Sequence, residues 1–214
     1  MRGGHVARLT SLVFGLFLFA AGIVALLESK LGLSPWDVLN QGIARHSPLT
    51  FGIANIAVGL VILVLAWALG GPPGLGTVAN AVLIGLFIEG LLRIDPVVDL
   101  AGAPLGLRVA LLPLGIALMG IGSAFYIGAS YGAGPRDTLM LVLSRRTGRR
   151  IGLVRGGIEA VALVAGFALG GTVGIGTLAF ALLIGPAVEA SFWVMARSPL
   201  VAQQGVCGSE SQTP

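Results

Sequence analysis

Long apolar runs and short polar breaks follow one another along the whole chain. The runs lie near residues 9 to 27, 51 to 69, 75 to 92, 108 to 127, 151 to 169 and 174 to 195. At about 1.5 Å per residue, each is long enough to cross most or all of a bilayer's hydrocarbon core as a helix. None alternates polar and apolar residues, as a barrel strand must. A shorter, more polar segment follows the first run of each half. Ser34, Pro35, Trp36 and Asp37 place Ser at an N-cap, Pro at the first helical position and an acid at N3. That is a capping box with Asp in place of Glu, and it predicts a helix of about three turns ending at Arg45 and His46. Gly134, Pro135, Arg136 and Asp137 predict a second such helix, ending at Arg145 and Arg146.

The two halves are copies. Shifted by 100 residues, positions 32 to 89 match 132 to 189 without a gap, with 22 identities in 58 positions. About a tenth is expected by chance in a chain of this composition. Gly32, Pro35 and Asp37 recur as Gly132, Pro135 and Asp137; the turn Leu69, Gly70, Gly71, Gly74, Gly76, Thr77 recurs as Leu169, Gly170, Gly171, Gly174, Gly176, Thr177. The expected fold is therefore all-α, a polytopic integral membrane protein of two fused homologous repeats. Each repeat reads as long helix, short helix and helical hairpin, giving six long spans plus two short helices. The expected divisions are 1–8 (cytoplasmic N-terminus), 9–93 (first repeat), 94–107 (inter-repeat loop), 108–197 (second repeat) and 198–214 (polar C-terminal tail). Arg2 and Arg8 before the first run resemble a signal-peptide start. Residues 9 to 27 are nevertheless the positional mate of 109 to 127, so that run is read as a retained span.

Charge separates two topologies. If the short helices do not cross, the repeats are inverted and nine of the 13 Lys and Arg lie on the N-terminal side. If they cross, the repeats are parallel and eleven lie there, leaving only Lys30 and Arg136 opposite. The positive-inside rule favours the crossing arrangement, with both termini cytoplasmic and Ser47 to Thr50 on the same side as Thr147 to Arg150. A re-entrant path for the short helices is the alternative.

Composition agrees with a bilayer: 56% of residues are hydrophobic, 10% charged, and mean hydropathy is +0.97. In that setting the basic balance reads as membrane orientation and lipid contact, with no nucleic-acid partner expected; Arg145, Arg146, Arg149 and Arg150 form an anchor facing anionic lipid. Cys207 is alone in the tail, so no internal disulfide forms. His5 and His46 have no partner at metal-ligand spacing, so no metal and no cofactor are expected. No nucleophile motif suggests an enzyme.

The candidate residues are membrane acids and their neighbours. Thr77, Ala81, Gly85 and Glu89 fall at spacing four on one helix face, and Thr177, Ala181, Gly185 and Glu189 repeat them. Such a face is either close packing that ends in an acid or one wall of a shared cavity holding Glu89 and Glu189. Asp37 and Asp137 either cap the short helices or line an ion path at their termini. Arg155 and Glu159, four apart, either neutralise each other or free Arg155 for Glu89, Glu189 or an anionic solute. Their mates Asn55 and Gly59 carry no charge.

On Gly32-x-x-Pro35-x-Asp37, its mate Gly132-x-Gly134-Pro135-Arg136-Asp137-Thr138-Leu139, then Thr147-Gly148, Gly152 and the Leu-Gly-Gly-x-x-Gly-x-Gly-Thr turn, the chain resembles the YczE-type, YitT-related family of bacterial multi-pass membrane proteins. The resemblance covers roughly residues 9 to 197, and it implies an inner-membrane location while supplying no catalytic residue. The expected activity is passage of a small solute or ion along Asp37, Glu89, Asp137, Arg155, Glu159 and Glu189 between the repeats. The competing class is a non-transporting scaffold supporting another membrane complex.

Overall fold

A computed structural model describes residues 4–197; the polar tail expected at 198–214, with Cys207, lies outside the described residues. The helices are α1 (His5–Ser29), α2 (Pro35–His46), α3 (Phe51–Ala68), α4 (Leu75–Leu91), α5 (Asp95–Val98), α6 (Leu105–Gly128), α7 (Pro135–Thr147), α8 (Ile151–Ala168) and α9 (Ile175–Arg197), with a 3-10 turn at Asp99–Gly102. Among the described residues there is no strand. Five helices are long and apolar enough to span a bilayer, six when α4 is joined to the segment bent 93° from it. The apolar runs thus become helices almost residue for residue. The stretch expected as a plain loop between the halves instead holds α5 and the 3-10 turn.

The centre of the bundle is the α1 and α6 pair. A Cβ on Gly15 would lie 2.7 Å from the Gly122 carbonyl oxygen, and one on Gly22 would lie 2.6 Å from that of Gly115. Only glycine lets two helix backbones approach so closely. Leu12, Leu16, Ile23 and Leu26 are buried around this contact with Ile116 and Met119. The partners descend along α6 as they ascend along α1, so the two helices are antiparallel. Their ends are tied reciprocally. Arg8 donates to the carbonyls of Ala129 and Ser130 past the end of α6 (2.9 and 3.1 Å), and Arg108 donates to that of Ser29 at the end of α1 (2.9 Å). Each cation thus sits at the negative pole of the opposite helix.

Two further hydrogen bonds lock the halves together. Gly76 N–H donates to the Tyr131 carbonyl and Gly176 N–H to that of Leu31, both at 2.8 Å. The turn glycines divide their work. Gly70 and Gly170 take positive φ (90° and 73°) to reverse the chain, whereas a Cβ on Gly76 would meet the Tyr131 carbonyl at 3.0 Å and one on Gly176 the Gly32 carbonyl at 2.6 Å. Thr77 and Thr177 sit at N3, accepting from the N–H groups of Gly74 and Gly174 (3.2 and 3.3 Å).

These ties correct the crossing arrangement. α4 starts beside Tyr131, whose hydroxyl donates to the His5 carbonyl, so α4 and α1 start at the same end. α3 starts beside the far end of α4, where Gly52 N–H donates to Glu89 Oε1 (2.9 Å). Residues 29 and 51 therefore lie at one end of the bundle, and α2 enters and leaves from that end without crossing. α7 does the same from the other end. The charge count misled because Arg45 and Arg108 answer to helix ends rather than to the membrane potential: Arg45 binds the Gly170 carbonyl, as Arg108 binds that of Ser29. Cysteines placed at Thr50 and Gly148 are accordingly expected to label from opposite faces of intact membranes. Labelling of both from one face would restore the crossing arrangement.

The halves differ in one respect. In the first, α3 and α4 are pressed together, a Cβ on Gly85 lying 2.5 Å from the Gly52 carbonyl oxygen. In the second, no atom of another element among the described residues lies within 4 Å of a Cβ on Gly152, Gly156, Gly157 or Gly185. α8 and α9 diverge from their shared turn and leave a cleft.

Candidate functional site

The N-termini of α2 and α7 converge inside the bundle, where the Arg136 guanidinium lies over the Trp36 ring, 5.0 Å from its centroid. Proline at the first position of each helix fixes its entry and leaves no N–H there to satisfy. Around this junction is a cavity of about 180 Å³. Its polar wall comprises Ser34, Asn55, Asn80, Ser123, Tyr126, Arg136, Asp137, Arg155 and Glu159, and the rest is apolar, including Phe19, Ile23, Ile84 and Phe180. The lining from α8 and α9 faces the cleft between them. Arg155 is 52% exposed there and Glu159 29%, which marks the open side.

The expected site residues separate into three groups. Asp137, Arg155 and Glu159 come together at the cavity: Tyr126 donates to Asp137 Oδ2 (3.4 Å) and Arg155 Nε to Glu159 Oε1 (2.9 Å). Asp37 is fully buried beside it as a capping acid. It accepts from the Ser34 hydroxyl and from Asn40 Nδ2 (3.4 Å), while its own N–H donates to Ser34 Oγ (3.3 Å). Glu89 and Glu189 are not brought together. Glu89 holds the first turn of α3 through Gly52, and Glu189 is exposed on α9. Of the small-residue faces, Thr77, Ala81 and Gly85 are buried; on the second, Thr177 is buried and Ala181 and Gly185 are exposed.

Sequence reasoning did not single out Trp36, Tyr126, Asn80 or Arg136 as site residues. One signal was available. The chain has three asparagines, and Asn55 and Asn80 interrupt the apolar helices α3 and α4. Asn55 is 4% exposed, and its Nδ2 has no hydrogen-bond partner among the described residues. An unpaired amide donor in such a place costs roughly 1 to 3 kcal/mol unless something else accepts from it.

Spanning helices around a polar, charged cavity define a polytopic helical membrane protein. Residues 6–191 match DUF6198, a family of unknown function, and the chain belongs to that family. It is 35% identical over 192 residues to a Bacillus subtilis (strain 168) protein described as "Uncharacterized membrane protein YczE", covering 86% of this chain and 85% of that one. A Haemophilus influenzae protein is 35% identical over 188 residues (88% and 84%), and the Bacillus subtilis protein YyaS is 29% identical over 172 residues (77% and 82%). No solved structure matches the chain.

Proposed function

We propose that the protein carries a small solute or ion across the bacterial inner membrane, through the cavity between two repeats related by an axis in the membrane plane. The observation that carries this reading is the cavity itself. It gathers Arg136, Asp137, Arg155 and Glu159 among spanning helices, where ionisable groups cost about 2.5 to 3.5 kcal/mol each on insertion scales and are kept chiefly for function. Short helices whose N-termini meet inside a bundle suit a site entered from either side.

The difference between the hairpins supplies a route. The α3 and α4 hairpin is closed and the α8 and α9 hairpin is open, yet Gly52, Gly85 and Glu89 recur as Gly152, Gly185 and Glu189. The second hairpin can therefore close as the first has, with Glu189 accepting from the Gly152 N–H. Closing one hairpin while opening the other would expose the cavity alternately to the two sides. With Arg8, Arg145, Arg146, Arg149, Arg150 and Arg197 at the end holding α1's start against Lys30, Arg45, Arg93 and Arg108 at the other, that end and both chain termini are assigned to the cytoplasm.

In proteoliposomes, the purified protein is expected to support permeation of at least one class of small solute above the protein-free rate. Silence with every neutral, cationic and anionic solute tried would assign it instead to membrane scaffolds.

A further inference from the structure

Two side chains on the cavity, Arg136 and Asn55, carry donors with no hydrogen-bond acceptor among the described residues. Asp137 accepts from Tyr126, Glu159 from Arg155, and Asp37 from Ser34 and Asn40. Arg136 contacts the Trp36 face and feels the charges of Asp37 and Asp137, but among the described residues it makes no hydrogen bond and no ion pair within 4 Å. Its N–H donors are therefore not spent on those acids. Asn55 Nδ2, buried on the same cavity, is likewise without an acceptor. The same cavity is lined by Phe19, Ile23, Ile84 and Phe180.

We propose that the cavity binds a small organic anion, its carboxylate held by Arg136 and Asn55 at the meeting of α2 and α7 and its hydrocarbon part against the apolar wall. This rests on the cavity being the solute site of the proposed transporter. A planar guanidinium matches a carboxylate with two parallel hydrogen bonds, and stacking on Trp36 holds the fork in place. The unpaired amide donor then finds its acceptor in the ligand. The apolar wall favours a monocarboxylate with a short alkyl or aryl body over an inorganic oxyanion.

Calorimetry on the full-length protein in detergent tests this with butyrate and benzoate, against butylamine, norvaline and inorganic phosphate. Saturable binding of the two carboxylates is expected, with butylamine and phosphate inert. Arg136→Lys should weaken it at least about tenfold, since hydrogen bonds to charged groups are among the stronger ones. Asn55→Leu guards against misfolding of the arginine variant. It removes a buried unpaired donor, so melting should hold while carboxylate binding falls at least about fivefold. Binding of butylamine alone would overturn the proposal in favour of recognition by Asp137 and Glu159. Preference for norvaline over butyrate would make the ligand zwitterionic and overturn it too, as would phosphate alone or no saturable ligand. Carboxylate binding without flux would sink the transport reading and leave this site standing; flux restricted to uncharged solutes would do the reverse.

Discussion

Gly166→Leu is expected to eliminate most of the folded protein. A Cβ at Gly166 on α8 would lie 2.5 Å from the Val38 carbonyl carbon and as close to the Leu39 amide, both backbone atoms of α2. Backbone in a capped helix has little room to yield, so the cost should reach or exceed the upper end of the usual overpacking range, about 3 kcal/mol. The positional mate Ala66 tolerates its methyl and is almost fully buried at the corresponding contact region. The expected readouts are a strong fall in detergent-extracted yield and, for any survivor, a lower melting temperature. Wild-type melting of Gly166→Leu would mean that α2 does not sit against α8.

Gly185→Leu is expected to behave in the opposite way, keeping the fold and losing transport. Among the described residues no other element lies within 4 Å of a Cβ at this position, and a helical leucine has a higher intrinsic propensity than glycine by nearly 1 kcal/mol, so melting should hold or rise slightly. On closure, however, Gly185 must approach the Gly152 carbonyl as Gly85 approaches that of Gly52, at 2.5 Å from a Cβ. A leucine there props α8 and α9 apart. Flux per folded molecule should fall toward the protein-free rate while carboxylate binding to the open cavity persists. Normal flux would show that the α8 and α9 cleft takes no part in passage. Gly85→Leu is the control, since the same substitution in the closed hairpin should cost stability.

Helix identity and ends were legible in the sequence because apolar run length and the Ser-Pro-x-Asp and Gly-Pro-x-Asp starts are local signals. Direction was not. Whether α2 crosses depends on ties between residues far apart in the chain, such as Arg108 to Ser29 and Gly76 to Tyr131, which no periodicity reports. The acids illustrate the same limit at the site. Asp137 and Glu159 reach the cavity, whereas Glu89, on the face that looked most like a cavity wall, spends its carboxylate on the first turn of α3. Spacing four shows that Thr77, Ala81, Gly85 and Glu89 share a face; it does not show what that face meets. Arg136 looked like part of a cap, and only the arrival of Trp36 from the other half shows that its guanidinium is held at the cavity.

The packing of α2 on α8 and of α3 on α7 also bears on how the protein is made. The first short helix, with Asp37, Asn40 and Gln41, leaves the ribosome well before the helix that covers it. About 120 residues separate the two, roughly ten seconds of synthesis at ordinary rates. Through that interval α2 has α3 beside it but lacks the cover of α8, so its polar groups are only partly shielded from the bilayer. Its seating is therefore a late, post-insertional event that waits for α8, and the order in which the polypeptide emerges cannot be the order in which its centre is assembled.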